Sequence, residues 1–307
     1  MGDTSRTPWL KGVWTALVTP FNDGLAVDYD VLARLLDRQV EAGVAGVVPC
    51  GTTGETPTLT LDERKAVIEF TLRRLRGTGV KVMAGTGGND TASTIAFSKW
   101  ARQAGADALL VVVPYYNKPT QNGLHNHFTK VASAVDCPVM LYNVPGRTGA
   151  RLELDTILRL AAIKNVLAIK EASGDVGLVT DLVTQLQEDG QDLAVLSGDD
   201  PIFLPSLAAG AVGVVSVASN VIPAQMVKMQ KLADANDLAG AREIHKKYFQ
   251  FFKGLFVESN PVPVKFALHR MGLCGPVVRE PLIEMTLQHK DELSDILKAC
   301  GLIGAQS

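Results

Sequence analysis

Three times in this chain a helical stretch ends on an Ala-Gly pair and runs straight into a short apolar segment. Glu41-Ala42-Gly43 leads into Val44-Ala45-Gly46-Val47-Val48, Gln103-Ala104-Gly105 into Leu109-Leu110-Val111-Val112-Val113, and Ala208-Ala209-Gly210 into Val212-Gly213-Val214-Val215. A glycine just past a helix takes the left-handed conformation that closes it, and a short strand that is apolar throughout is the type buried on both faces of a parallel sheet. The repeated joint therefore predicts βα units in series.

Strands are expected near 13–18, 44–48, 80–84, 108–113, 138–142, 166–170, 193–197 and 213–216, with helical stretches such as 31–42 and 61–75 between them. Eight alternating units suit a closed (β/α)8 TIM barrel better than an open doubly wound sheet, which usually has fewer strands and stands as the alternative. After Pro223 the strands stop, and helical patterns at 224–235, 238–257, 262–270 and 281–299 run to the end, broken at Asn260-Pro261-Val262-Pro263. No Ser/Gly-rich linker intervenes, so the expected division is a catalytic barrel over 1–223 and a C-terminal helical region, 224–307, packed on it.

At 307 residues and 47% hydrophobic content the chain can bury one large core. Its 32 acidic and 30 basic residues nearly balance and are scattered, which is not the footprint of a nucleic-acid or anionic-membrane binder; a small molecule is the expected partner. Met1 to Lys11 is polar, without a signal-type or transit-type leader, and no segment approaches the roughly 18 apolar residues of a membrane span, so a soluble cytoplasmic protein is expected. Cys50, Cys137, Cys274 and Cys300 are far apart and form no CxxC pair, which suggests neither a zinc site nor a disulfide framework and fits a reducing compartment.

In a barrel the chemistry sits at the C-terminal ends of the strands. Those ends read Gly51-Thr52-Thr53-Gly54-Glu55, Gly85-Thr86-Gly87-Gly88, Pro114-Tyr115-Tyr116-Asn117, Tyr142-Asn143-Val144-Pro145-Gly146-Arg147, Lys170, Ser197-Gly198-Asp199-Asp200 and Ser216. Hydroxyls dominate, with one lysine and one arginine. His125 and His127 lie two apart and would face differently on a helix, which disfavours a metal site. The Gly85–Gly88 loop matches neither GxGxxG nor GxxxxGKS, so no nucleotide cofactor is indicated.

What remains is carbonyl chemistry. Lys170 closes the apolar run Asn165–Ile169, and burial of an ammonium disfavours its charged form, whereas the neutral amine is what attacks a carbonyl to make a Schiff base. A hydrogen-bonded phenol such as Tyr142 can move the protons, and the Arg147 fork can hold a carboxylate. The plainer readings are a snorkelling lysine at a strand mouth, a core tyrosine and a solvated loop arginine.

The ordered set GTTGE (51–55), PYYNKP (114–119), LYNVPGRTG (141–149), IKEASG (169–174), SGDD (197–200) and NPVPVK (260–265) resembles, nearly end to end, the pyruvate-dependent class I aldolase family that holds dihydrodipicolinate synthase and N-acetylneuraminate lyase. The resemblance implies that Lys170 forms the Schiff base with pyruvate. It implies that Tyr142 transfers protons while hydrogen-bonded to Thr52, and that Tyr116 completes the relay by crossing from the neighbouring subunit of a tight dimer. By the same likeness Thr53 with its backbone holds the pyruvate carboxylate, Gly198 and Val215 shape the pocket around the imine, and the assembly is a homotetramer, a dimer of dimers. No cofactor beyond the covalent imine is implied.

NVPGRTG and PYYNKP are of the synthase type, in which the arginine grips the carboxylate of L-aspartate 4-semialdehyde. The implied reaction is therefore condensation of pyruvate with that aldehyde to 4-hydroxy-tetrahydrodipicolinate, the first committed step toward diaminopimelate and lysine. Alternatives are a 2-keto-3-deoxy sugar-acid or sialic-acid lyase using the same imine, and a keto-acid sensor without turnover. Family members inhibited by lysine often carry histidines in the helix after GTTGE and a glutamate shortly after the GTG loop; this chain has Leu61, Arg64 and Ser93 there, though Asn89 and Tyr115 match. Weak or absent lysine feedback is expected, because the inhibitor's ammonium loses a charge-assisted partner.

Overall fold

The structure, a computed structural model, describes residues 8–304; the first seven residues of the polar opening and the last three of the expected C-terminal region lie outside the described residues. Eight parallel strands follow in order: β1 (Gly12–Ala16), β2 (Gly46–Val48), β3 (Lys81–Gly85), β4 (Ala108–Val112), β5 (Val139–Asn143), β6 (Val166–Glu171), β7 (Ala194–Ser197) and β8 (Gly213–Ser216). They close into a barrel in sequence order, β1 to β8, so the expected (β/α)8 TIM barrel stands and the open sheet does not. Every expected strand span overlaps an observed strand, with ends that differ by at most two residues.

The helices are α1 (Tyr29–Ala42), α2 (Leu61–Leu75), α3 (Thr91–Ala104), α4 (Gln121–Ser133), α5 (Pro145–Thr148), α6 (Leu154–Ala161), α7 (Val176–Glu188), α8 (Phe203–Ala208), α9 (Pro223–Asp234), α10 (Leu238–Gly254), α11 (Val262–Arg270) and α12 (Leu287–Ala299). Side-chain oxygens satisfy the first free amides of several: Asp28 accepts from Val31 N, Asp90 from Ser93 N, and Thr60 and Glu63 form a reciprocal capping box on α2. The joints behave as the sequence predicts. Gly43 and Gly105 end α1 and α3 with φ of 70° and 106°, a region costly for any residue with a Cβ, and Gly210 does the same after α8.

By packing, the chain divides into two compact units. One is built on Lys81–Val215 with the described residues up to Gly12; the other is built on Val13–Val80 with those from Ser216 onward. In the first, Phe128, Phe203, Leu141 and Ile169 are fully buried. Gly213 there lies so close to Gly12 that a Cβ would meet its carbonyl oxygen at 2.1 Å, and Gly12 N donates to Val212 O across 3.0 Å. In the second, α9 to α12 share the core of α1 and α2, with Trp14, Phe251 and Phe252 fully buried.

The largest departure from the expected boundaries is at the last helix. The last helix starts at Leu287, not near 281, because Thr286 caps it by accepting from His289 N, while Glu258 accepts from Thr286 N at 3.0 Å and fixes that cap in an extended conformation. Among the described residues no helix is long and apolar enough to cross a membrane, and all four cysteines are buried free thiols.

Candidate active site

All six residues of β6 are buried, as an apolar run covered on both faces must be, and Lys170 is the fifth of them, 5% exposed. Its Cα partner on β5 is Tyr142, 6% exposed. Partners in a parallel ladder present their side chains to the same face, and Lys170 Nζ accordingly lies 4.0 Å from the centre of the Tyr142 ring. The lysine stem rests on Gly198: a Cβ at that glycine would come within 2.9 Å of Lys170 Cε and 2.5 Å of Ala172 Cβ. Burial pushes the neighbouring Asp199 carboxyl above the usual carboxylate range, opposed by the Lys170 charge. Val215, on β8, is fully buried. A lysine amine and a phenol thus share one enclosed position.

Two turns of the same unit carry Arg147 and Tyr116. After β5 the chain enters α5 at Pro145, which fits a first turn because it lacks the N–H that would go unbonded there, and Arg147 follows with its side chain exposed. Tyr116 N donates to Thr148 O at 3.4 Å, which ties the Tyr-Tyr-Asn turn to the arginine turn. Tyr116 itself has φ of 74° and is 88% exposed. A left-handed backbone at a bulky residue is strained, and here it holds an aromatic ring outward.

In the other unit, Thr52–Gly54 form a single short turn after β2. Thr53 is buried, and Asn260 Nδ2 donates to its hydroxyl oxygen across 2.9 Å. Thr19 donates to Gly54 O at 2.8 Å, and Thr56 to Cys50 O at 2.6 Å. Glu55 ends the turn with φ of 54° and is fully enclosed; one of its oxygens bonds Lys265 Nζ and the other accepts from Arg279 N at 3.0 Å. Lys265 also donates to Val277 O at 2.8 Å and stands 4.1 Å over the Phe21 ring. Burial lowers the Lys265 ammonium from its ordinary range, opposed by the charge of Glu55.

His127 sits in a buried position on α4 with Nδ1 2.9 Å from Thr91 Oγ1, and burial lowers its imidazole to about 4. Among the described residues no group of three or more His, Cys, Asp or Glu could hold a metal ion.

A barrel alone does not choose a chemistry. The match to known proteins does: residues 9–300 fit the model of the dihydrodipicolinate synthetase family. The chain belongs to that family. It is 46% identical over 299 residues to a 4-hydroxy-tetrahydrodipicolinate synthase of Chloroherpeton thalassium, covering 97% of this chain and 98% of the relative. A chloride-inhibited dihydrodipicolinate synthase from Acinetobacter baumannii, solved with pyruvate, superposes with a TM-score of 0.92 at 41% identity, over 95% of this chain and 99% of that one. A structure described as the first monomeric dihydrodipicolinate synthase variant superposes with a TM-score of 0.93 at 40% identity, over 96% of this chain and 99% of that one.

Within the dihydrodipicolinate synthetase fold of this chain, sequence reasoning missed Asn260, Lys265 and Arg279 as supports of the Thr52–Thr53 turn, although NPVPVK marked the segment. Their partners lie more than 200 positions away, as the separations of 207 for Asn260 and Thr53 and 210 for Lys265 and Glu55 show. A sequence signal existed only in the pairing of a lone Glu after GTTG with a lone Lys in the otherwise apolar stretch Val262–Leu268.

Proposed function

We propose that the chain condenses pyruvate with L-aspartate 4-semialdehyde to give 4-hydroxy-tetrahydrodipicolinate, as a lyase that works through a lysine imine. The observation that carries this reading is the buried pair Lys170 and Tyr142, at one register with Lys170 Nζ 4.0 Å from the phenol ring centre. The relatives matched are named for this synthase, which disfavours the sugar-acid lyase alternative.

In the proposed sequence Lys170 Nζ attacks the keto carbon of pyruvate and water leaves, giving the imine. Its electron-withdrawing nitrogen makes the methyl group acidic; Tyr142, relayed by Thr52 and by Tyr116 of a second copy, takes a methyl proton and leaves the enamine. The enamine carbon attacks the aldehyde, whose oxygen collects a proton. The amine of the semialdehyde then attacks the imine carbon and expels Lys170 as a free amine, closing the ring. The imine is the electron sink throughout, so these steps draw on no cofactor. Thr53 and its backbone hold the pyruvate carboxylate, Arg147 holds that of the semialdehyde, and Gly198 and Val215 leave room for the imine.

The outward, strained Tyr116 supports a homotetramer of tight dimers in which that ring enters the partner's site. The buried free thiols fit a cytoplasmic location. Borohydride reduction with pyruvate should leave a pyruvyl adduct on Lys170, and the K170A variant should show neither adduct nor turnover. Replacing Arg147 should raise the KM for the semialdehyde most strongly. An adduct without semialdehyde turnover would move the search to other acceptors, and no adduct would refute the mechanism.

A further inference from the structure

On the face of β5 and β6 opposite Lys170 and Tyr142 lies a buried polar pair with no part in the chemistry above. Asn143 and Glu171 are the next Cα partners along the same ladder. Successive residues of a strand face opposite ways, so this pair points away from the reacting one. Both are enclosed, Asn143 at 0% and Glu171 at 1% exposure.

Their contacts run in one direction. Asn143 Nδ2 donates to Glu171 Oε2 at 2.7 Å, and Glu171 Oε1 accepts from Ser173 N at 2.7 Å. Asn143 Oδ1 accepts from Leu152 N at 2.9 Å. The main chain repeats the link: Ala172 N donates to Asn143 O at 2.9 Å, and Gly198 N to Glu171 O at 2.6 Å. One amide side chain therefore joins the strand that carries Lys170 to the far end of the segment that carries Arg147.

A buried carboxylate is expensive to desolvate, and two packed apolar side chains would fill this space at lower cost. Burial indeed pushes the Glu171 carboxyl up, against the hydrogen bonds from Ser173 and Asn143 that hold it down. What the polar pair supplies in exchange is direction: it fixes strand register and turn position at once, which apolar packing does only loosely.

We propose that Asn143 and Glu171 are positioning residues, which set Lys170 against Tyr142 and couple that pair to the segment bearing Arg147. The proposal rests on the imine reading of Lys170. Neither side chain touches substrate; both act through their neighbours.

The test is an exchange of the two groups. In E171Q the introduced amide keeps the bond from Ser173 N and turns its own donor toward the Asn143 donor; in N143D two carboxylates face each other. Both lose the link. In the double variant N143D/E171Q the introduced carboxylate accepts from Leu152 N and from the introduced amide, whose oxygen accepts from Ser173 N, and the net charge is that of the parent. Each single change should slow pyruvate adduct formation on Lys170 about tenfold or more, and N143D should also raise the KM for the semialdehyde. The double variant should return both to within about threefold of the parent. A mere loss of packing would not be rescued by reversing the donor. Single variants with parental rates overturn the proposal, and so does a double variant that recovers neither rate nor fold. If the parent protein forms no adduct at all, the imine reading has failed instead. The coupling is then read by hydrogen exchange at the amide bonded to the unchanged partner: protection should fall at Leu152 N in E171Q and at Ser173 N in N143D and return at both in the double, and unchanged protection would refute it.

Discussion

Asn260 donates from Nδ2 to the Thr53 hydroxyl oxygen across 2.9 Å, and this leaves the Thr53 proton to be given elsewhere. A hydroxyl can donate once. With its oxygen engaged by a buried amide, Thr53 is set up as a donor, which is what a substrate carboxylate requires.

Asn260→Leu should therefore act on pyruvate binding. Losing one hydrogen bond between neutral groups corresponds to about 0.5–1.5 kcal/mol, or roughly two- to tenfold in pyruvate KM, with a smaller change in kcat. Steady-state kinetics check this. An unchanged KM would remove Thr53 from the carboxylate site.

Gly198→Ala places a methyl group where Lys170 Cε and Ala172 Cβ already stand within 3 Å. The lysine stem has to move. The expected result is a folded protein whose borohydride trapping by pyruvate is slowed by at least an order of magnitude, since small misplacements of a reacting group can cost about a hundredfold. Trapping at the parental rate would mean that the stem is free to shift without consequence.

How much of this is readable from residues alone depends on the distance over which each part is specified. The joint at Gly43 and the apolar run before Lys170 are local, because one φ angle and one short strand define them, and eight such units suit a closed ring better than an open sheet. Placement of Lys170 beside Tyr142 also follows, since each comes at the end of the apolar run of its strand. The support beneath them is not readable. Asn143 and Glu171 appear in the sequence as ordinary polar residues after a strand, and only the ladder register shows that they meet. Asn260 lies in a proline-rich break that suggests a turn and nothing more, and helical pattern alone places the start of α12 too early because its cap depends on Glu258 across a gap of 28 positions.

Acid sensitivity should be traceable to Glu63, whose carboxyl is lowered from 4.5 to about 2, first by the hydrogen bond from Arg279 and further by those from Thr60, against partial burial. A carboxyl lowered in the folded state contributes stability above its unfolded value and loses it as pH falls through the folded one. The melting temperature of the parent should exceed that of E63Q at neutral pH, with the gap closing between about 4.5 and about 2. A gap that stayed constant across that range would assign the role to packing instead of charge.

Lysine should leave the rate nearly unchanged at physiological concentrations. Leu61 is exposed at the first position of α2, and Ser93 brings a backbone amide to Asp90 Oδ1 at 2.6 Å but no carboxylate for an ammonium group. Initial rates across a lysine series measure this, and half-inhibition near physiological levels would show that the ammonium finds another partner.

Glu55 and Lys265 meet with neither side chain exposed, although 210 positions separate them. Either charge left alone in that place would cost about 3–5 kcal/mol. In inheritance the two segments are thus a single block: a crossover between them that joined parents differing at either position would strand a charge in the core. Gene-shuffling libraries built on this barrel should break the chain elsewhere, and natural recombinants should carry the pair or lack it together.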